Sequence, residues 1–226
     1  MSNTSITEIV NKNLKTRYKK EARFRRYGQL SIFIAVTFLF IFFTSIISKG
    51  YSAFYQAEIF LKIELQQEFI DPDNTNDLEE IRYGDFDGII NESLYSLFPE
   101  ITKRSDKREL RDLMSSGASI KIQQLVLEDL SLIGKTINIW LPLDDEVDML
   151  IKGNIDVNLP EQSRRISDLQ ISSIETLQTQ GLIKNKFNKT LFVSGDSRES
   201  EQAGILGALV GSALMLTITF LIAFPL

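Results

Sequence analysis

The chain has 226 residues, no cysteine and no histidine, a formal net charge of −5 and 43% apolar residues. The lack of cysteine and histidine excludes thiol nucleophiles, imidazole bases, disulfides and the usual zinc ligands. The charges are unevenly distributed, with a net +6 in residues 1–26, a net −11 in residues 49–202, and none in residues 27–48 and 203–226. This partition favours a membrane protein over a soluble globule.

The first apolar block, residues 27–48, is predicted to be a transmembrane helix preceded by a basic segment, residues 1–26. The block is longer than the apolar core of a signal peptide and lacks a small-residue cleavage pattern after it, so we expect an uncleaved anchor. Lysine and arginine are retained on the cytoplasmic side of a membrane, which predicts a cytoplasmic N-terminus and an exterior, periplasmic segment 49–202. We interpret the basic run as this topology signal and not as a nucleic-acid site.

The exterior segment, residues 49–202, has the patterns of a folded α+β domain. Alternating apolar residues in "QAEIFLKIELQ" predict a half-buried strand, and "DPDNTND" predicts a loop. Helices are predicted over 87–97, 105–114, 119–129, "LDDEVDMLIKG" and "SDLQISSIETLQTQG". The last of these opens on a capping box at Ser167 and Gln170 and closes at Gly181. Extended structure is predicted for "GLIKNKFNKTLFVSG".

Apparent catalytic and metal-binding motifs in the chain fail on their spacing. "GKT" at 134–136 lacks the glycine that a phosphate-cradling loop places five residues before its second glycine, because Asp129 stands there. The acidic loop at Asp71 resembles a calcium loop, but Asn76 and Arg82 replace the required glycine and glutamate. We therefore predict no enzyme activity, no cofactor and no metal site.

The second apolar block, residues 203–226, is predicted to be a transmembrane helix that carries a stripe of small residues. Small residues three and four positions apart allow helix backbones to approach closely within a membrane. The candidate helix-packing residues are Gly204, Gly207, Gly211 and Ser212. Just before this helix, Asp196 and Ser197 are candidates for a helix cap or, alternatively, for contact with a polar solute.

Several segments together resemble the permease subunit PstA of phosphate ABC importers, in the alphaproteobacterial form with a large insertion after its first helix. They are "RFRRYGQLSIF", "ISKGYSAF", "LYSLFPE", "SLIGKTINIWLPLDDEVDMLIKG" and "FNKTLFVSGDSRESEQAGILGALVGS". The junction "SGDSRE…AGI" into the second helix is the most specific of them. In these permeases, residues similar to Ala223, Phe224 and Pro225 lead into further membrane spans.

The resemblance implies the N-terminal half of an inner-membrane permease for ATP-driven phosphate import, and therefore a chain that is a fragment. It also implies a second permease subunit, an ATPase subunit dimer and a periplasmic phosphate-binding protein as partners, in addition to the lipid bilayer. The alternative is a two-span membrane sensor or scaffold whose exterior domain binds a ligand or partner.

Overall fold

The computed structural model describes residues 6–224, apart from the side chains of residues 6–13 and 15–16. It divides into two units, residues 1–51 and 52–226. We call residues 52–205 of the second unit the central domain. The helices are α1 Ile6–Gly50, α2 Gln67–Ile70, α3 Leu78–Arg82, α4 Phe86–Ser96, α5 Arg104–Arg111, α6 Gly117–Glu128, α7 Asp145–Ile151, α8 Asp168–Thr179, α9 Thr190–Val193 and α10 Leu206–Ala223. The strands are β1 Tyr55–Glu64, β2 Thr136–Pro142 and β3 Ile183–Phe187.

Two of these helices are long and apolar enough to cross a membrane, namely α1 and α10. The predicted span 27–48 lies inside α1, and the basic residues before it belong to the same 45-residue helix from Ile6 onward. The second predicted span begins later than expected, because α10 starts at Leu206. Pro225 and Leu226 lie outside the described residues. The side chains of α10 are exposed along its whole length, as expected of a helix whose surroundings are lipid or other helices.

The central domain is built on a three-stranded antiparallel sheet of order β2-β1-β3. The alternation predicted for β1 is confirmed, since its apolar side chains on one face are at most 2% exposed. These residues are Ile59, Leu61, Ile63 and, just past the strand, Leu65. Helices α4 and α7 pack against β1 on its buried face, α6 contacts β2, and α8 contacts β3 and α5. The domain therefore has its own hydrophobic core and is α+β, as predicted.

The predicted helix starts and stops of the central domain are largely confirmed. Ser167 caps α8 by accepting a hydrogen bond from the Gln170 backbone, and the Gln170 side chain accepts one from the Ser167 backbone in return. Gly181, which follows α8, has a φ of +72°, a left-handed conformation that glycine adopts without strain. Asp144 caps α7, and the acids that follow it lie in the first turn of that helix.

Two parts of the central domain differ from the sequence prediction. The extended segment predicted for residues 181–195 is too long, because β3 ends at Phe187 and the short helix α9 follows it. Where the strand ends, the Asn188 side chain accepts a hydrogen bond from the backbone amide of Leu191 in the first turn of α9. Strand β2 was not predicted at all.

Candidate functional site

The predicted site residues lie in residues 194–205, which form the connecting segment at the end of the central domain, and on α10 itself. Gly204 packs against the backbone near the end of α9. A Cβ atom at Gly204 would lie 2.3 Å from the Ser194 carbonyl oxygen and 2.7 Å from that of Thr190. Both distances are shorter than real Cβ atoms show to non-bonded atoms. Three backbone bonds join the same segments, from Gly204 to Gly195, from Ile205 to Leu191 and from Leu206 to Ser194. Gly204 thus joins α10 to the central domain.

The remaining predicted packing residues lie on α10 itself and have open surroundings. A Cβ at Gly207 would make only an ordinary contact with Gly195 at 3.8 Å, and a Cβ at Gly211 would have nothing within 4 Å. Ser212 is exposed. The small-residue stripe from Gly207 to Ser212 is therefore accessible to another helix.

The capping role predicted for Asp196 and Ser197 is wrong for α10. That helix begins at Leu206, and the residue before it, Ile205, has no side chain able to cap it. Ser197 instead accepts a weak hydrogen bond of 3.3 Å from the Glu199 amide within the connecting segment. Between Ser197 and α10 the chain forms only a short 3-10 turn at Ser200–Gln202, and Gly204 is tied to the end of α9, so the α-helix begins at Leu206.

Sequence patterns did not indicate the best-connected residue of this segment, Glu201. Glu201 is only 8% exposed. Its carboxylate accepts a 2.6 Å hydrogen bond from the hydroxyl of Ser115, just before α6. The backbone carbonyl of Glu201 accepts a hydrogen bond of 3.1 Å from the side-chain amide of Gln56 in β1. Next to Glu201, the side-chain amide of Gln202 donates a hydrogen bond of 2.7 Å to the Ser116 hydroxyl. We call these bonds the Glu201 junction.

The Glu201 junction forms one wall of an open cleft of about 620 Å³ that we call the acidic cleft. Six carboxylates and one guanidinium group line it. These groups belong to Asp85, Asp87, Asp112, Asp144, Glu199, Glu201 and Arg111. A neighbouring cleft shares Asp112 and Asp144 and adds Glu109, Asp145, Glu146 and Glu161 beside Arg164 and Arg165. Because like charges repel, this surface favours cations and disfavours phosphate.

Asp144 is the carboxylate that this environment perturbs most clearly. Burial raises its pKa to about 6 from the ordinary value of 3.8, opposed by the hydrogen bond that it accepts from the Glu146 amide. The nearby charges of Asp145, Glu201 and Glu146 raise the pKa further. Asp144 is therefore partly protonated near pH 6, which reduces the repulsion in the cleft.

The acid-rich loop at residues 71–77 is held together by hydrogen bonds to Asp71. Asp71 is 1% exposed, and its carboxylate accepts hydrogen bonds from the backbone amides of Thr75 and Asn76. The Asn76 amide contributes most to holding the pKa of Asp71 below its usual range. Among residues whose placement is described, no group of three or more acidic side chains converges in a way that would hold a metal ion.

Comparison with known proteins identifies a family. The family described as a domain of unknown function (DUF3333) matches residues 11–161, which include most of α1 and the central domain up to the residues just after α7. No curated protein and no solved structure matches the chain.

Proposed function

The chain belongs to the DUF3333 family, and we propose that it is the N-terminal part of a permease subunit for ATP-driven phosphate import across a bacterial inner membrane. In this proposal α1 and α10 span the membrane, the N-terminus is cytoplasmic and the central domain is periplasmic. The observation that supports it best is the attachment of the central domain to α10. Gly204 and the Glu201 junction connect them through close backbone packing and side-chain hydrogen bonds.

The accessible stripe on α10 supports a role within a larger bundle of helices. Helices in lipid have little hydrophobic drive to associate, so they rely on close contact between small residues. Gly207 and Gly211 offer such a contact surface. The assignment to phosphate import comes from the sequence segments that resemble PstA, with a second permease subunit, an ATPase dimer and a periplasmic phosphate-binding protein as proposed partners.

The charges of the central domain bear on where phosphate would bind. The acidic cleft would repel a phosphate ion, since two unit charges at 4 Å interact by about 4 kcal/mol near a protein surface. We therefore assign phosphate binding to the other subunits and to the membrane path. The central domain would instead position α10 or contact a partner.

Phosphate uptake in cells that lack the native gene tests this proposal. Complementation with the native gene should restore uptake, and the ATPase subunit of the phosphate importer should co-purify with its product. Gly211→Leu should abolish both, because leucine adds bulk where another helix packs. Leu209→Ala is the matched control, since residue 209 lies on the opposite side of α10 and is exposed. Normal phosphate uptake with Gly211→Leu would contradict the packing role of this residue. Unchanged phosphate uptake in cells that lack the gene would contradict the proposed function and would favour the sensor or scaffold alternative.

The proposed topology has a separate test in reporter fusions. A fusion at residue 120 should be exported and a fusion at residue 10 should be retained in the cytoplasm, because the basic residues precede the first span. An exported N-terminus or a cleaved first helix would contradict the topology.

A further inference from the structure

Three apolar side chains from separate parts of the central domain stack into one exposed surface. The rings of Phe187 and Phe192 lie 5.6 Å apart and within 10° of parallel, and those of Phe54 and Phe192 lie 5.9 Å apart and within 13° of parallel. Phe187 is 57% exposed, Phe54 is 43% exposed and Phe192 is 39% exposed. The adjacent Val193 is 68% exposed. We call these four residues the aromatic patch. An exposed apolar patch of this kind is typical of a surface that contacts a partner or a membrane.

The aromatic patch lies at the end of the central domain from which α10 departs. Phe192 and Val193 belong to α9, and the backbone bonds from Gly204 to Gly195 (2.7 Å) and from Ile205 to Leu191 (2.8 Å) hold the start of α10 beside that helix. Phe54 is attached to the same region by the bond of 2.8 Å that its carbonyl accepts from the Asn188 amide. Phe54 also closes the short turn that follows α1 in the chain.

We propose that the aromatic patch inserts into the boundary between lipid headgroups and acyl chains, so that the central domain rests on the bilayer surface. This inference depends on α10 crossing the membrane, as in the proposed function. The first turn of a spanning helix lies at that boundary, and α9 is bonded directly to it. Aromatic rings are favoured at this depth. The exposed Lys189 directly precedes α9 and provides a cation beside the patch for lipid phosphates in this proposal.

Lipid is a better occupant for this patch than a distant soluble partner because of continuity with α10. The apolar surface of α10 begins at Leu206, which is 42% exposed, and Ile205 before it is 39% exposed. The patch extends the same apolar surface onto the central domain. The opposite end of the domain has different surroundings, because β1 is ten residues long and separates the two ends by about 33 Å. Tyr83 is 83% exposed, and its neighbour Gly84 packs against the backbone of Ile70, six residues past the end of β1.

Site-directed spin labelling tests the inference directly, because the full chain contains no cysteine. Val193→Cys, Tyr83→Cys and Leu216→Cys each introduce one exposed attachment site, in the patch, at the far end of the domain and in α10 respectively. Each labelled full-length variant is reconstituted in phosphatidylcholine vesicles. Collision of the label with oxygen, which concentrates in lipid, is compared with collision with a water-soluble nickel chelate. Phe187→Cys provides a second patch position if the label at residue 193 perturbs folding.

The expected result is that the labels at 193 and 216 favour oxygen over the nickel chelate several-fold, whereas the label at 83 favours the chelate. A label at 193 as accessible to the chelate as the label at 83 would overturn the inference, since the patch would face water. A label at 193 shielded from both reagents would also overturn it, because the patch would then be covered by protein. If the label at 216 favours the chelate, α10 does not cross the membrane and the proposed function fails together with this inference.

Discussion

Two glycines that resemble each other in the sequence have opposite surroundings in the structure. A Cβ at Gly204 would lie 2.3 Å from a backbone oxygen of Ser194, whereas a Cβ at Gly211 would have nothing within 4 Å. Backbone atoms cannot move aside as a flexible side chain can. A glycine is thus required at 204 by packing within the chain, and at 211 only if another helix lies against it.

Gly204→Ala should lower the free energy of unfolding of the purified full chain in detergent by about 2 kcal/mol, because the added methyl group overpacks the contact with α9. Thermal unfolding followed by near-UV circular dichroism measures this. The control is Gly211→Ala, which should be neutral or slightly stabilising because alanine is the better helix former. Equal melting temperatures for Gly204→Ala and the native chain would mean that the close approach to Ser194 is not maintained.

The raised pKa of Asp144 makes the stability of the central domain depend on pH. The folded protein holds this proton up to about pH 6, and the unfolded chain loses it near 3.8. Between these values the folded state binds more protons, so stability decreases as pH rises through this window. Asp144→Asn should remove this dependence and stabilise the protein at pH 7 by about 1 kcal/mol, after allowance for the partial exposure of the group.

Urea unfolding of the Asp144→Asn variant between pH 4 and 7 checks this prediction. Asparagine remains a good helix cap, so α7 should be unaffected. Asp73→Asn is the control, because Asp73 is exposed in the loop 71–77 and should leave the pH profile unchanged. A profile for Asp144→Asn that matches the native one would contradict the assigned burial of this carboxylate.

At the scale of single elements, the cap of α8 has two roles. The Ser167 hydroxyl accepts from the Gln170 amide and donates a 2.6 Å bond to the Glu109 carboxylate on α5. Ser167→Ala should therefore lower the free energy of unfolding by about 1 to 2 kcal/mol, at the upper end of measured cap losses. Ser172→Ala, on the exposed side of the same helix, should have little effect. A similar loss for both variants would show that the cap contributes nothing specific.

Elements with a local signal could be predicted, and those held by distant partners could not. The alternation in β1 and the capping box of α8 are patterns within a dozen residues, and both are confirmed. Strand β2 also alternates in its apolar residues Ile137, Ile139 and Leu141, but only Leu141 is fully buried and Pro142 ends the strand. It is a strand because it pairs with β1 along seven residue pairs. The period-two pattern of "TINIWLP" is therefore a local signal that the sequence prediction missed, whereas the partner and register of the strand depend on tertiary structure.

At the scale of the whole molecule, the same distinction applies to the candidate site. The small residues of α10 lie within one short stretch of the sequence and could be identified from that sequence. Glu201 and Ser115 are 86 residues apart, and neither lies in a recognisable motif. The one local hint was an acidic residue in a segment next to an apolar helix, which is too common to identify a buried contact. Only the fold shows that the connecting segment is part of the central domain.

This contact defines where the central domain ends. The predicted strand begins at Gln56, but a piece spanning residues 56–196 lacks both the Glu201 junction and the Phe54–Asn188 backbone bond. A piece spanning residues 52–204 retains them. Since each of these four hydrogen bonds contributes about 1 kcal/mol, the longer piece should be more stable by roughly 4 kcal/mol, a difference of about ten degrees in melting temperature for a domain of this size.

Ser115→Ala introduced into both pieces isolates the contribution of Glu201 to this difference. The Ser115 hydroxyl also accepts from the Gly117 amide at 2.9 Å, so the substitution should destabilise both pieces to some extent. Only the longer piece contains the Glu201 carboxylate, so its loss should be greater by about 1 kcal/mol or more, because a buried carboxylate is left without its donor. Calorimetric melting of the four proteins measures this coupling. Equal losses of stability in the two pieces would mean that the segment before α10 does not stabilise the central domain. The attachment of the domain to α10, which supports its proposed role, would then be contradicted.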